Sequence, residues 1–179
     1  MQSVVWQPSL WGFETPPSVD PSFASITRHQ LDSHAWVEHQ SAWLAGPDAL
    51  LDSLLGSCEP RALPLVAQMR QALSTRYGVP LEFDELLLLT GGNQPQPWHQ
   101  HSSSRKFTNP VVAGVTLGAR RSIRLRARGM RGAATSFMCA SGDLFVMGGA
   151  SQHEWDHCVP RNRRAPGPHV RIVFAQSRS

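Results

Sequence analysis

The chain has 179 residues, enough for one domain with a single core. Hydrophobic residues make up 41% and charged residues 17%, which excludes wholesale disorder. The longest apolar run, Leu86–Leu89, is strand-sized, so no membrane-spanning helix is expected. The formal charge is +4, carried almost wholly by arginine: Lys106 is the single lysine. Between Leu86 and Gly142 there is no acidic residue, while Arg105, Lys106, Arg120, Arg121, Arg124, Arg126, Arg128 and Arg131 all fall there. Such a block is either a solvated sheet face or an anion-attracting one. The N-terminus lacks the basic flank and apolar core of a secretion signal, and Cys58, Cys139 and Cys158 form neither a CxxC pair nor an even framework. Both features predict a cytoplasmic protein with reduced thiols.

Residues 1–22, with four prolines, read as an irregular arm whose Trp6, Trp11 and Phe13 are expected to lie against the body. Ser25 to Trp43 predicts a short strand or two. Gly46-Pro47-Asp48 opens a helix with a Leu50, Leu51, Leu54, Leu55 stripe, stopped by Gly56. A second helix carries Leu65, Val66, Met69, Ala72, Leu73 and Tyr77 at helical spacing and ends at Gly78-Val79-Pro80. Beyond residue 83 the period changes to two. Strands are expected at Glu85–Leu89, Val111–Leu117, Ser122–Arg128, Thr135–Met138, Leu144–Met147 and His169–Phe174. In Ser122–Arg128, Ile123, Leu125 and Ala127 share one face and the three arginines the other. Helices followed by many strands imply an α+β domain with the helices on one side of mostly antiparallel sheets.

Two histidine clusters stand out in the strand-rich half. In Trp98-His99-Gln100-His101, an extended backbone would project both imidazoles to one face, where they could share a metal ion. Gln152-His153-Glu154-Trp155-Asp156-His157 follows the apolar strand that ends at Gly148-Gly149. Each histidine taken alone is equally at home as a hydrogen-bonded surface or core residue.

From Phe23 onward the sequence resembles the AlkB-like iron(II)/2-oxoglutarate dioxygenases. The resemblance rests on Trp98-His99, on Asn109 to Ala113 leading to Leu117-Gly118-Ala119-Arg120-Arg121, on Ser141-Gly142-Asp143 through Gly149, and on Gln152 with Trp155 to Pro160. It implies one jelly-roll domain over 23–179, a double-stranded β-helix whose mouth holds a metal. The family's ligands are a His-x-Asp pair and a distant His. His99 and His157 match the first and last, while His101 stands at the Asp, so the resemblance implies a three-histidine set. Three neutral imidazoles suit Fe(II) as in the family, and equally Zn, Ni or Cu.

The cosubstrate anchors differ more. Leu87 and Leu89 stand where the family has an Asn-x-Tyr pair. His169, Arg171 and Ala175 stand where it has an Arg, a small polar residue and a second Arg. The ordinary 2-oxoglutarate clamp is therefore not expected. His169 and Arg171, two apart on a strand, are expected to orient a different anion, and His101, His169 and Arg171 are the catalytic candidates. Gln100 or His153 are candidate hydrogen-bond donors to it. Only Ser57–Leu63 separates the two helices, too little for the family's nucleotide-gripping lid, which disfavours nucleic acid as substrate. Three readings follow: an Fe(II) oxygenase of an anionic small molecule in a biosynthetic route; a non-redox cyclase, lyase or hydrolase on the same scaffold; and a non-catalytic nucleic-acid-binding relic. The sequence assigns no oligomeric state. Asp143 is expected to shape a turn, and Trp98 and Trp155 to pack the wall of the mouth.

Overall fold

A computed structural model describes residues 16–102 and 106–178. Trp6, Trp11, Phe13 and Arg105 lie outside the described residues. The strands are β1 (Ser18–Val19), β2 (Thr27–Gln30), β3 (Ala35–Gln40), β4 (Leu44–Ala45), β5 (Leu81–Leu89), β6 (Gln96–His99), β7 (Val112–Gly118), β8 (Arg121–Ala127), β9 (Thr135–Cys139), β10 (Leu144–Gly149), β11 (Trp155–Val159) and β12 (His169–Gln176). Helices α1 (Pro47–Leu55) and α2 (Pro64–Tyr77) precede β5, and a short α3 (Ser151–Glu154) joins β10 to β11. Within the expected arm, Ser18 and Val19 are not irregular but pair with Ala45 and Leu44.

The strands form a six-stranded sheet in the order β2-β3-β10-β7-β12-β5 and a four-stranded sheet in the order β6-β11-β8-β9, with antiparallel neighbours throughout. From β5 to β12 successive strands alternate between the two sheets, except for the β8–β9 hairpin within the small one, which is the pattern of a double-stranded β-helix. The period-two pattern sets what faces where. Along β12, Val170, Ile172 and Phe174 belong to the outer core with α1 and α2, whereas Val173 and Ala175 belong to the inner core between the sheets. The outer core takes Leu50, Leu51 and Leu54 from α1 and Val66, Met69 and Leu73 from α2, as the helical spacing predicts. Leu55, the fourth residue of the expected stripe, is exposed, because α1 ends there.

The inner core holds Val37, Val112, Phe145 and Met147 from the large sheet against Ile123, Leu125 and Cys139 from the small one. Arg124 on β8 is exposed, as alternation requires. Arg121 departs from the solvated-face reading: it is buried and donates to the carbonyls of Gly91, Gln94 and Pro160. It binds two loops together and is occupied structurally. Asp143 shapes its turn as expected, accepting from the backbone N–H groups of Ala42 and Ala140 and pairing with His39. Preceding it, Gly142 has φ +86° and a Cβ there would lie 2.4 Å from the Leu44 carbonyl oxygen. No helix among the described residues is long and apolar enough to cross a membrane.

Candidate functional site

β6 and β11 are antiparallel neighbours, with His99 directly opposite His157. Their imidazoles meet inside the mouth of the barrel, ring centroids 4.1 Å apart and planes inclined by 52°. The Nδ1–H of His99 donates to the Pro97 carbonyl at 2.8 Å. That fixes the tautomer and leaves the Nε2 lone pair free to accept, which it does from the Gln96 amide nitrogen at 3.1 Å. A backbone carbonyl orienting one ring nitrogen while the other keeps its lone pair is how metal-binding histidines are prepared. Burial holds the His157 ring well below the ordinary histidine pKa, helped by the nearby His99, Arg171 and His101, so it too is a neutral donor.

His101 behaves differently from the same-face expectation. β6 ends at His99, so alternation does not extend to residue 101. The His101 backbone N–H donates to Gln152 Oε1 at 3.1 Å, and the ring Nε2 lies 3.4 Å from both Asp84 Oδ2 and Glu85 Oε1 on β5. Hydrogen bonding to His101 is the main reason the Glu85 carboxyl sits below its usual range. His101 and His157 nonetheless line one small cavity, with Arg171, Glu85, Leu87, Gln96 and Met147 among its other walls. It encloses about 10 Å³, the room of one water. Among the described residues no three His, Cys, Asp or Glu side chains already converge as a metal-binding group. His99 and His157 are in ring contact and His101 shares the cavity with His157; imidazoles are donors of a type that suits a cation.

Arg171 is the charged wall of that cavity. Lying opposite Thr116 on β7 and Leu87 on β5, it faces the barrel interior and is 3% exposed. Gly114 makes room for it, since a Cβ at 114 would lie 2.2 Å from Arg171 Nη2. Its Nε has no hydrogen-bond partner, and no carboxylate is within ion-pairing distance among the described residues. Burial pulls its pKa down, against smaller opposing effects from Cys139 and from the Glu85 carboxylate across the same cavity. His169, two residues earlier, is fully buried, and its Nδ1–H donates to the Ala119 carbonyl at 2.8 Å. Burial lowers its pKa to about 4. At neutral pH it therefore presents an unshared Nε2 lone pair to the interior, with no partner among the described residues. A neutral His169 suits a hydroxyl or N–H of a ligand, and the Arg171 guanidinium suits an anionic group.

Leu87 lines the cavity opposite Arg171, and Leu89 lies opposite His169, so neither neighbour offers a hydrogen bond. Gln100 and His153 are not available to a ligand. Gln100 donates to the His153 carbonyl, and the His153 Nε2–H donates to that of Phe107. Trp98 lies on the outer face, where Arg126 stacks on it at 4.1 Å, and Asp156 pairs with the same arginine at 3.8 Å. Trp155 donates to Asp32 Oδ2 at 2.6 Å. Sequence reasoning missed Glu85, Gln96 and Gly114. Glu85 reads as one carboxylate of an exposed pair before a leucine run, and nothing local marks the change of face that turns it inward.

The profile of the 2OG-Fe(II) oxygenase superfamily matches residues 64–177, from α2 to the end of β12. The chain is similar to the crystal structure of a Pseudomonas putida prolyl-4-hydroxylase, with a TM-score of 0.59 at 17% identity over 82% of this chain and 86% of that one. It is less similar to a 2OG-Fe(II) family oxidoreductase from Burkholderia pseudomallei (TM-score 0.46, 14% identity, 84% and 71% covered). OsALKBH1 stands at the same level (TM-score 0.46, 16% identity, 88% and 83% covered). No curated protein sequence matches the chain. The profile match spans more than half of the sequence, and the prolyl-4-hydroxylase shares the double-stranded β-helix. The chain belongs to the 2OG-Fe(II) oxygenase superfamily and is an oxidoreductase-like enzyme of that fold.

Proposed function

We propose that the protein is a non-haem Fe(II) oxygenase acting on an anionic small molecule, with His99, His101 and His157 holding the metal. The observation that carries this reading is Arg171: a buried guanidinium with no carboxylate within ion-pair distance among the described residues, lining the same cavity as His101, His157 and Glu85. A charge left unpaired in the interior is costly unless a ligand of opposite sign completes it. Fe(II) bound there would supply dioxygen activation, the chemistry for which the superfamily is named. The chain's own residues do the rest. Pro97 and Gln96 set the His99 tautomer. Arg171 binds the anionic group, and His169 accepts a hydrogen bond from a hydroxyl or N–H of the same molecule. The inner apolar core excludes bulk water behind the site.

Leu87 and Leu89 stand where the family has polar anchors, so 2-oxoglutarate in its ordinary pose does not suit this chain. An anion enters by displacing the flexible Met147 side chain from the cavity wall. Nucleic acid is disfavoured as substrate, because Arg121 and Arg126 of the basic block are engaged within the protein. A cytoplasmic, biosynthetic role belongs to the same reading, supported by three cysteines that are all free thiols.

The test is anaerobic reconstitution with Fe(II), followed by dioxygen uptake with small hydroxy- and keto-acids, each with and without 2-oxoglutarate. Metal-dependent uptake with a small acid, unchanged by 2-oxoglutarate, is the expected result. Uptake that requires 2-oxoglutarate would overturn the cosubstrate part. Turnover of an acid that persists without dioxygen would replace this reading with the non-redox one.

A further inference from the structure

The three-histidine set lacks the carboxylate that its family relatives place beside the metal. A register change in β5 delivers one to the same cavity. β5 pairs with β12 as Phe83 opposite Phe174 and then Glu85 opposite Val173, which leaves Asp84 as an extra residue, a β-bulge. Before the bulge, Leu81 and Phe83 face the helical core. After it Leu86 does, and Glu85 and Leu87 turn into the barrel. Without the extra residue, Glu85 would share the face of Leu81 and Phe83 and never reach the site. With it, the Glu85 carboxylate stands 3.4 Å from His101 Nε2; Asp84 Oδ2 is equally near that nitrogen, but of the two only Glu85 lines the cavity.

We propose that Glu85 is a positioning residue for the metal site, acting through His101. Its carboxylate is placed to take the His101 Nε2–H and so to hold the orientation of that ring. It also restores the negative charge that is lost where the family has an Asp. Carboxylate–histidine–metal relays of this kind orient the ring and raise its basicity. The inference rests on the three-histidine reading, and the experiment separates the two.

Co(II) is titrated into purified protein without oxygen and followed by its visible absorption, for wild type, E85Q, H101A and the E85Q/H101A double variant. E85Q is expected to weaken Co(II) binding by about 10–100-fold, the usual effect of losing such a partner. H101A is expected to weaken it further, and adding E85Q to H101A to change the affinity by less than about twofold, because a residue acting through another has no effect once that other is gone. E85D keeps the charge and is expected to retain most of the affinity, so the comparison survives if E85Q does not fold. Wild-type affinity in E85Q, or an equal loss on adding E85Q to H101A, overturns the role assigned to Glu85. Wild-type affinity in H101A instead refutes the three-histidine reading, and the inference falls with it.

Discussion

Replacing Arg171 with methionine should make the ligand-free protein more stable while abolishing its response to anions. Arg171 is 3% exposed, its Nε is unsatisfied, and its guanidinium lies over Gly114 with no ion-pairing carboxylate among the described residues. Methionine is similar in length, lacks the charge, and would pack against Val112, Met147 and Val173, which wall the same cavity. Exchanging buried charged groups for apolar ones of similar volume is commonly neutral or stabilising by about 1–4 kcal/mol. For a chain of this size about 2 kcal/mol corresponds to a rise in Tm of roughly 4–8 °C. Thermal melts of wild type and R171M, each with and without a millimolar panel of small carboxylic acids, provide the assay. Wild type should gain Tm with the acid that fits, and R171M should melt higher than ligand-free wild type with no acid response. An R171M protein that melts several degrees lower would mean that Arg171 is structurally satisfied, and the anion-site argument would be wrong.

Gly114→Ala places a methyl where Arg171 Nη2 lies and should displace the guanidinium, with loss of anion response and about 1–3 kcal/mol of destabilisation, read by the same melts. His169 titrates near 4 when folded against 6.5 as the unperturbed value, so between those values the unfolded chain binds a proton that the folded one refuses. Stability should therefore fall as pH drops from about 6.5 to about 4, by up to about 3 kcal/mol from this residue. Urea titrations of H169Q should show a correspondingly shallower slope, and an unchanged slope would remove His169 from the account. Asp143→Ala strands the Ala42 and Ala140 N–H groups and His39 and should destabilise by about 2–4 kcal/mol with metal binding unchanged, as paired denaturation and Co(II) titrations would show.

The legibility of this chain follows from which information is local. The strands β7, β8, β10 and β12 announce themselves because each buries at least one face in apolar residues, and the helices because Val66, Met69 and Leu73 repeat at helical spacing. β6 and β11 carry the histidines and tryptophans, so their apolar alternation is broken by the site residues themselves. His99 opposite His157 was nevertheless recoverable from the family motif, and Arg171 from its place on the last strand. Whether His101 shares the face of His99 was not legible, because alternation holds only inside a strand and β6 ends at His99. Glu85 was invisible for a related reason: one bulge at Asp84 reverses the parity of everything after it, and no residue type marks a bulge of this kind. The distinction between Arg121, buried against three carbonyls, and the exposed Arg124 depends on loops far away in sequence.

Diffraction from crystals loaded anaerobically with Fe(II) and recorded across the iron edge tests the central claim most directly. One anomalous peak within coordination distance of His99, His157 and His101, with a soaked carboxylate against Arg171, is the predicted result. An iron peak elsewhere, or none at these imidazoles in protein shown to be folded, would contradict it.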